Sequence, residues 1–490
     1  MKRKYYMLAV TILLAAAGCH KPLQDNPLVN DQLEKKAGLQ NITVDCTPIT
    51  LSGSITSNTT LLTGKTYLLD GIVDVKGATL TIQPGTLILG KSSVESALVI
   101  DKTAQINAVG TATNPIVFTS DKAAGSRASG DWLGVFVFGN APNNQSNSLS
   151  FSLGGNSYTA GGTNSASSAG SLQYVQIHFA GKGNSAGDRL TQSALVMASV
   201  GSGMTIRNIQ LTNSKFDGLG LYGGLAGVKE VFSYKSERIE FPISQGYRGN
   251  MQSLFAFKDN VSTTASNTPV MDITNYLIGS DAAPFTYPTI SNASLLGGTY
   301  CSGSDADYNR GIVIRQNGNA QIYNSVIEGF TQHALYLDGA NIIAKTKAST
   351  DRLIFSYNSL HNSGTTPYGA NFSPATSWQL ANGCVDVSTG KLTMQDWIDG
   401  SSLSSCTQLD NQLVLSATGY YNSSLCGNKC STFPNLYIDE SNSDLSLPDY
   451  SMLGVFFNQP DHRGALQSSA TTWLTSGWID FCALTRDYCL

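Results

Sequence analysis

Charged side chains gather between residues 217 and 259, and this group has the best potential for chemistry in the chain. Its members are Asp217, Lys235, Glu237, Arg238, Glu240, Arg248 and Asp259. A glycoside hydrolase needs carboxylates on both sides of one bond, and a lyase needs a base beside a neutralised acid. The spacing between Asp217 and Glu240 matches one turn of a coiled chain. Coils that stack about 4.8 Å apart would make them neighbours, so they are the candidate catalytic pair. The alternative is an outward charge pair with Lys235 or Arg238.

Aromatic and charged residues of the same region suggest ligand binding without catalysis. A flat face of a β protein can bind sugars through exposed rings and hydrogen-bonding groups. We take Tyr222, Glu237, Tyr247 and Arg248 as candidate binding residues. Tyr158, Tyr308 and Tyr323 are further candidates for exposed rings. The alternative is that these tyrosines are stacked or edge residues inside the fold.

Short runs with a period of two residues must position these side chains. TYLLDGIVDV, ATLTIQPGTLILG, SALVIDKTAQINAVG and PIVFTS follow one another between residues 66 and 120. Gly, Asn, Asp or Pro interrupts each run, which is typical of short strands.

A repeat in the later part of the chain indicates how these strands stack. Similar hexapeptides begin at residues 172, 206, 290 and 322, and looser copies begin at 228 and 251. A period of about 22 residues with insertions predicts an all-β right-handed parallel β-helix, or solenoid. Its recurring Ile-x-Asn frame would place an inward asparagine at one turn. An antiparallel sandwich or a propeller is the alternative.

The two ends of the chain predict export and a tether. Residues 1–18 combine a basic start with an apolar run too short to span a bilayer, as in a lipoprotein signal peptide. The small residues before Cys19 resemble a lipobox, which implies acylation of this cysteine. We predict a tether over 19–44 and a β-helix over 45–340. Over 341–490 we predict an irregular cysteine-rich excursion together with the C-terminal part of the β-helix or its cap. The serine-rich stretch 141–170 is predicted to be one long excursion from the stack.

The remaining eight cysteines are an even number in an exported chain, which favours disulfides. These disulfide candidates are Cys46, Cys301, Cys384, Cys406, Cys426, Cys430, Cys482 and Cys489. Cys426 and Cys430 are separated by three residues with no histidine nearby, so we interpret them as disulfide partners of some kind rather than zinc ligands. The pairing stays open.

Composition narrows the possible partners. Charged residues are only 13% of the chain, and the net charge of −4 comes without a basic stripe. These features exclude nucleic acid as the expected partner. We expect a monomer that contacts a membrane through its lipid and binds a glycan or another cell-surface polymer. No cofactor is implied.

Several motifs in order resemble a known family. GATLTIQPGTLILG, GDWLGVFVFGNAP, LQYVQIHFAG and QGYRGNMQS are similar to bacterial cell-surface lipoproteins and secreted proteins with predicted right-handed β-helices. Where this chain has SKFDGLGLYGG, the family carries a more acidic pattern that would suit Ca²⁺. This chain keeps only Asp217 and the glycines there, so the resemblance implies at most a reduced calcium site.

The sequence therefore predicts a lipid-anchored envelope protein of the outer membrane, facing the periplasm or the exterior. We expect a binding or adhesion scaffold for glycans or other polymers. The alternatives are a polysaccharide lyase or glycoside hydrolase, and a structural lipoprotein without a ligand.

Overall fold

The alternating runs of the sequence become strands that stack in parallel. A computed structural model describes residues 44–183, 188–259, 261–263, 265–276, 280–298, 301, 305–361, 368–371, 394–400, 408–414, 420–421, 423–426, 429–430, 433–438, 447–466, 473–475 and 477–489. Within these ranges, 26 strands form one parallel sheet and two form a separate antiparallel hairpin. The fold is a right-handed parallel β-helix, as the repeat predicts.

The strands before residue 180 make the first coils and the hairpin. They are β1 (Asp45–Ile55), β2 (Thr59–Leu61), β3 (Lys65–Val75), β4 (Thr79–Ile82), β5 (Leu87–Gly90), β6 (Ala97–Ile100), β7 (Gln105–Val109), β8 (Ile116–Ser120), β9 (Gly134–Phe138), β10 (Leu149–Leu153), β11 (Asn156–Ala160) and β12 (Gly170–His178).

The later strands continue the same stack. They are β13 (Ser193–Val200), β14 (Thr205–Thr212), β15 (Asp217–Gly224), β16 (Gly227–Tyr234), β17 (Phe241–Ser244), β18 (Asn250–Phe257), β19 (Pro269–Thr274), β20 (Thr289–Leu296), β21 (Arg310–Arg315), β22 (Gln321–Tyr323), β23 (Val326–Glu328), β24 (His333–Asp338), β25 (Ile354–Ser356), β26 (Ser359–His361), β27 (Tyr368–Asn371) and β28 (Gln412–Val414). Parallel pairing thus continues beyond residue 340.

Helices are short and few in the described part of the chain. Two are α-helical, α1 (Ala340–Ala344) and α2 (Met394–Asp399), and three are 3₁₀ turns at Arg189–Thr191, Lys345–Lys347 and Ser423–Cys426. Among the described residues, none of these helices has the length and apolar character needed to cross a membrane.

The hexapeptides that repeat in the sequence pair with one another on successive coils of the structure. Leu172 pairs with Ile206, and Ile206 pairs with Val228. Val228 pairs with Met251, which in turn pairs with Ile290 and then Ile322. Each pair adds one coil, and the insertions leave the stack between coils. The predicted repeat, with its insertions, is confirmed.

Each coil has three faces. Long strands such as β14 bend in the middle, so that face 1 precedes the bend and face 2 follows it, while strands such as β15 form face 3. The bend residues adopt positive φ angles, for example 55° at Asn208 and 56° at Asn292. Asparagine tolerates this left-handed conformation better than most residues, which explains the recurring Ile-x-Asn frame. The expected inward direction of the asparagine is wrong, because Asn292 and Asn324 donate hydrogen bonds outward to the backbone of His462 and Asp449.

A continuous apolar core fills the coils. Inward side chains such as Leu219, Leu221, Ile243 and Ile273 are at most 1% exposed and belong to one cluster that runs through the stack. Alternation along each strand then turns the intervening side chains outward. This arrangement places the candidate site residues on the outer surface of the coils.

Two segments cover the outer surface. The excursion predicted over 141–170 contains the hairpin β10–β11, and its Leu149, Phe151 and Tyr158 pack on Phe136 and Phe138 of face 3. This hairpin shields face 3 only along the first coils, so the later part of face 3 is left uncovered by it.

The second covering segment, the C-terminal strap, comprises the described residues between 420 and 489. Gln252 donates to the backbone oxygen of Asn458 at 2.8 Å, Gln210 to that of Asp480 at 2.6 Å, and Arg127 to that of Ala483 at 2.6 Å. These contacts run from the middle coils back towards the first coils, starting at the bend between faces 1 and 2 and continuing along face 2. The strap is a lengthwise excursion, and its WLTSGWIDF motif contributes Trp473 and Trp478 to the aromatic cluster over face 2.

Disulfides fasten the strap, as the even cysteine count predicts. The pairs are Cys46–Cys489, Cys301–Cys426 and Cys430–Cys482. Cys426 and Cys430 therefore bind two different partners and not each other. Cys384 and Cys406 lie outside the described residues, as do Cys19 and the whole of the predicted signal peptide and tether up to residue 43.

Candidate functional site

The charged group between residues 217 and 259 separates into individual ion pairs. The Asp217 carboxylate accepts two hydrogen bonds from Arg238, from Nε at 2.7 Å and from Nη2 at 2.6 Å. It accepts a third from the backbone NH of Ile239 at 3.1 Å. Glu240 pairs instead with Lys258 at 2.8 Å. The candidate catalytic pair is thus divided between two cations.

The register explains why Asp217 and Glu240 do not face each other. Leu221 of β15 pairs with Ile243 of β17, and this offset is one position shorter than the spacing between the two acids. Gly218 therefore lies level with Glu240, and Asp217 lies level with Ile239. Because neighbouring residues of a strand point to opposite faces, the two carboxylates are directed to different surroundings. The expectation of an Asp217–Glu240 pair is wrong.

Glu240 has the contacts of a structural residue. Its side chain and that of Lys258 are both 0% exposed. The carboxylate also accepts hydrogen bonds from the hydroxyls of Ser233 and Ser236 and from the backbone NH of Ser236. Burial lowers the pKa of Lys258, and the Glu240 charge opposes this shift. Such a saturated, closed network leaves no room for a substrate.

Glu237 and Arg248, both proposed as binding residues, also form ion pairs. Glu237 accepts from Lys215 at 2.6 Å, with 27% of its side chain exposed. Arg248 donates two hydrogen bonds of 2.8 Å to Asp351 and stacks over the ring of Tyr287 at 5.1 Å. Both remain partly accessible, but they lie apart from the pocket described below.

The candidate tyrosines do not form an exposed platform. Tyr222 and Tyr247 are 2% and 1% exposed, and Tyr158, Tyr308 and Tyr323 are at most 3% exposed. The Tyr247 hydroxyl donates to the Ala226 oxygen at 2.7 Å. The expectation of exposed rings is wrong, because Tyr247 belongs to the core of the coils and Tyr158 and Tyr222 pack in the cluster under the hairpin.

Glycines in DGLGLYGG allow β15 to approach its neighbours closely. A Cβ atom on Gly218 would lie 2.3 Å from the Ser233 hydroxyl and 2.7 Å from the Glu240 oxygen. Gly224 has a φ of 83°, and a Cβ there would lie 2.3 Å from the Val200 oxygen. DGLGLYGG is thus a tight strand and turn of face 3 that carries both Asp217 and Tyr222.

A small pocket opens on face 3 where the cover by the hairpin ends. Its lining residues are Arg189, Asp217, Tyr222, Ile239, Pro242, Ile243, Ser244, Asp272 and Thr274. The pocket is shallow and open to solvent, and its enclosed space has room for about one water-sized group. The Tyr222 hydroxyl closes one side by donating to the backbone oxygen of Arg189 at 3.3 Å.

Two acidic residues of the pocket are neutralised by arginines. Asp272 binds Arg315 through hydrogen bonds of 2.9 and 2.7 Å, in the same two-point manner as Asp217 and Arg238. Burial alone would lower the pKa of Arg238, but the Asp217 charge more than compensates and raises it. The Asp272 charge likewise raises the pKa of Arg315. Each aspartate is thus matched by one guanidinium, and the two pairs together carry no net charge.

Two polar groups at the pocket remain available to a ligand. The Ser244 side chain is 3% exposed, and its hydroxyl has no hydrogen-bond partner within the described part of the chain. The Arg189 guanidinium is half-buried and, among the described residues, forms no ion pair. A buried hydroxyl without a partner loses free energy relative to one in water, so a ligand oxygen or water bound there would be stabilising. The free guanidinium favours a negatively charged group.

Face 3 continues beyond the pocket as a row of polar residues. Thr274 is paired with Arg315, and Arg315 with Asp338, on successive coils. In the adjoining row, Arg310 stacks over the partly exposed Tyr336 ring at 4.0 Å. These rows run along the stack, so a polymer lying on them would pass from one coil to the next.

Metal binding has little support in the described ranges. There, no group of three or more His, Cys, Asp or Glu side chains is arranged to hold an ion. The carboxylates at the pocket are already bound by arginines.

The sequence did not reveal several pocket residues. Asp272 and Thr274 alternate with the core residues Met271 and Ile273, and this period of two is visible in the sequence. Arg189 lies on an insertion between β12 and β13, which no repeat could locate. Ser244 attracts attention only because its hydroxyl is left unpaired in the fold.

The family of the chain follows from this fold. Residues 53–400 match the model of the pectate-lyase like beta helix domain. The match covers more than half of the chain, so the chain belongs to this family, which supports a polysaccharide-related role. The comparison with curated proteins found no match.

Proposed function

We propose that this protein binds a carboxylate-bearing polysaccharide on the uncovered part of face 3, with one polar group of a sugar unit entering the pocket. The observation that carries the proposal is the pair of available groups there, the Arg189 guanidinium and the buried Ser244 hydroxyl. With Asp217 and Asp272 each neutralised, Arg189 leaves the pocket with an excess positive charge. An acidic sugar supplies both the carboxylate and the hydroxyls that these groups would bind.

Binding without turnover fits the state of the carboxylates. A general base or nucleophile must be free to take a proton or attack the sugar. Asp217 and Asp272 each accept two hydrogen bonds from an arginine that is itself largely buried. They are suited to holding the arginines in place, and their release would leave charges unpaired.

A membrane tether completes the proposed role. The basic and apolar start of the chain and the small residues before Cys19 support acylation of this cysteine and attachment to the outer membrane. The protein would then hold a polymer at the cell envelope as a binding or adhesion scaffold.

A binding assay with matched variants tests the polysaccharide proposal. We expect Arg189→Gln to weaken binding of oligogalacturonate by at least about tenfold, since a charge-assisted hydrogen bond contributes about 1.5–3 kcal/mol. Arg207→Gln is the control, because Arg207 is on face 1, paired with Glu230, with 46% of its side chain exposed. A neutral oligosaccharide should bind both variants equally.

Three other outcomes would contradict the proposal. Release of unsaturated or reducing-end products, lost in Asp217→Asn or Asp272→Asn, would identify a lyase or a hydrolase. Equal binding by Arg189→Gln and Arg207→Gln would place the sugar elsewhere. No binding of acidic or neutral polysaccharides would favour the structural lipoprotein.

A further inference from the structure

The C-terminal strap carries an apolar tip that no part of the described structure covers. Met452 and Val455 are 65% and 108% exposed, and Leu447 nearby is 77% exposed. Leu453 and Phe456, in the same turn, are partly exposed. Residues 450–460 contain no charged side chain. Exposed apolar residues are common singly, but a contiguous group indicates a binding surface.

The apolar tip is held in a fixed conformation by the stack. Leu453 and Phe457 close two turns by donating to the backbone oxygens of Tyr450 and Gly454 at 2.9 and 3.1 Å. The Asn458 backbone NH donates to the Gln252 side chain at 2.9 Å. The Phe456 ring packs against the Lys229 ammonium at 4.5 Å. The exposure of Met452 and Val455 is therefore maintained by contacts on both sides of them.

The apolar tip lies on the side of the coils opposite the pocket. Its neighbours Lys229, Gln252 and Asn292 lie at or next to the bend between faces 1 and 2. In a coil of three faces, this bend is opposite face 3. A surface that contacts the apolar tip would leave the pocket on face 3 directed away from it.

We propose that the apolar tip, residues 452–456, inserts into a lipid bilayer and orients the protein on the membrane. A standard protein interface uses about 20–30 residues on each side, whereas this tip offers five, which is too few for a stable contact with a second copy. Attachment at a membrane interface requires apolar side chains that can enter the lipid, and it strengthens with the apolar area buried there. The tip meets that requirement and is presented on a rigid scaffold.

The chain before the first strand has the necessary reach. The segment between Cys19 and Val44 can extend to at most roughly 90 Å. The tip lies beside β16 and β18, about six coils from β2, or about 29 Å along the stack. An anchor at Cys19 is therefore compatible with contact by the tip. The inference does not depend on polysaccharide binding.

Tryptophan fluorescence can test insertion separately from any anchor at the N-terminus. The full chain is mixed with vesicles of phosphatidylethanolamine and phosphatidylglycerol that contain brominated acyl chains, which quench tryptophans inside the bilayer. We expect Val455→Trp to show at least twofold more quenching than Leu409→Trp. Leu409 is the matched control because it is 55% exposed and lies outside the tip. Both sites are open, so neither variant disturbs the core.

A second variant tests the apolar tip by vesicle binding instead of fluorescence quenching. Met452→Ser combined with Val455→Ser should lower vesicle binding by at least about tenfold relative to Leu409→Ser, because even partial burial of two apolar side chains contributes more than about 1.4 kcal/mol. Equal quenching of Val455→Trp and Leu409→Trp would overturn the proposal. So would self-association of the protein that the Met452 and Val455 variant abolishes, because the tip would then bind a second copy.

Discussion

Replacement of Glu240 by glutamine distinguishes a structural carboxylate from a catalytic one. Glu240 was a catalytic candidate from the sequence, yet it is 0% exposed and paired with a Lys258 ammonium that is also 0% exposed. Lys258 further donates to the backbone oxygens of Ser236 and Arg238. The change keeps the shape of the side chain and removes only its charge and part of its hydrogen bonding.

The expected loss of stability follows from the Lys258 ammonium, which the substitution leaves buried without its ion-pair partner. Without the Glu240 charge, the Lys258 ammonium is held chiefly by backbone oxygens in the interior. Breaking a buried ion pair by removing one partner costs about 3–5 kcal/mol. Since glutamine still accepts a hydrogen bond, we expect Glu240→Gln to lower the free energy of unfolding by about 3 kcal/mol, at the lower end of this range.

Amide hydrogen exchange can measure the loss of stability locally, in the coils around Glu240. Long solenoids can open locally, so one unfolding curve is not enough. We expect faster exchange over residues 231–241 in Glu240→Gln than in the unmodified chain. Lys258→Met added to Glu240→Gln should recover most of the stability, because no unpaired charge remains.

The opposite pattern would refute the structural interpretation of Glu240. If Glu240→Gln exchanges as slowly as the unmodified chain but loses the release of sugar products, Glu240 is catalytic and the closed network opens in solution. A loss of stability with unchanged binding of oligogalacturonate is the result that we expect.

Three further predictions concern other parts of the fold. Burial raises the pKa of Glu328 to about 7 from 4.5, so its stabilising contribution is present below pH 4.5 and is lost as the pH rises through 7. Glu328→Gln should remove about 3 kcal/mol of this pH dependence in thermal unfolding. Cys46→Ser with Cys489→Ser should lower stability by about 2–4 kcal/mol under non-reducing denaturation and speed amide exchange at the end of the strap. Gly224→Ala, at positive φ and against the Val200 oxygen, should cost about 1–3 kcal/mol and lower the Tm. A wild-type pH profile, stability or Tm in the respective variant would contradict each of these.

The stacking of the coils could be predicted because apolar residues repeat in register. Leu172, Ile206, Val228, Met251 and Ile290 occupy equivalent core positions, and each coil reuses the same inward positions. The course of the strap could not be predicted, since its contacts with Gln252, Gln210 and Arg127 join residues that are far apart in the sequence.

The sequence predicted which coils carry the candidate site, but it did not predict the contacts of the site residues. Asp217 and Tyr222 do line the pocket, but the partner of Asp217 depends on a strand offset one position shorter than its spacing to Glu240. A slip of a single position in the register reverses the direction of a side chain, which is enough to separate Asp217 from Glu240. Arg189 and Ser244 became visible through the unfilled contacts in the pocket, which sequence patterns do not report.

The most direct test of the account is a crystal structure of the protein soaked with oligogalacturonate. We predict a sugar carboxylate beside the Arg189 guanidinium and a sugar oxygen within hydrogen-bond distance of the Ser244 hydroxyl, with both arginine–aspartate pairs intact. A sugar bound on another face, or an Asp217 carboxylate released from Arg238 and directed at a glycosidic bond, would contradict it.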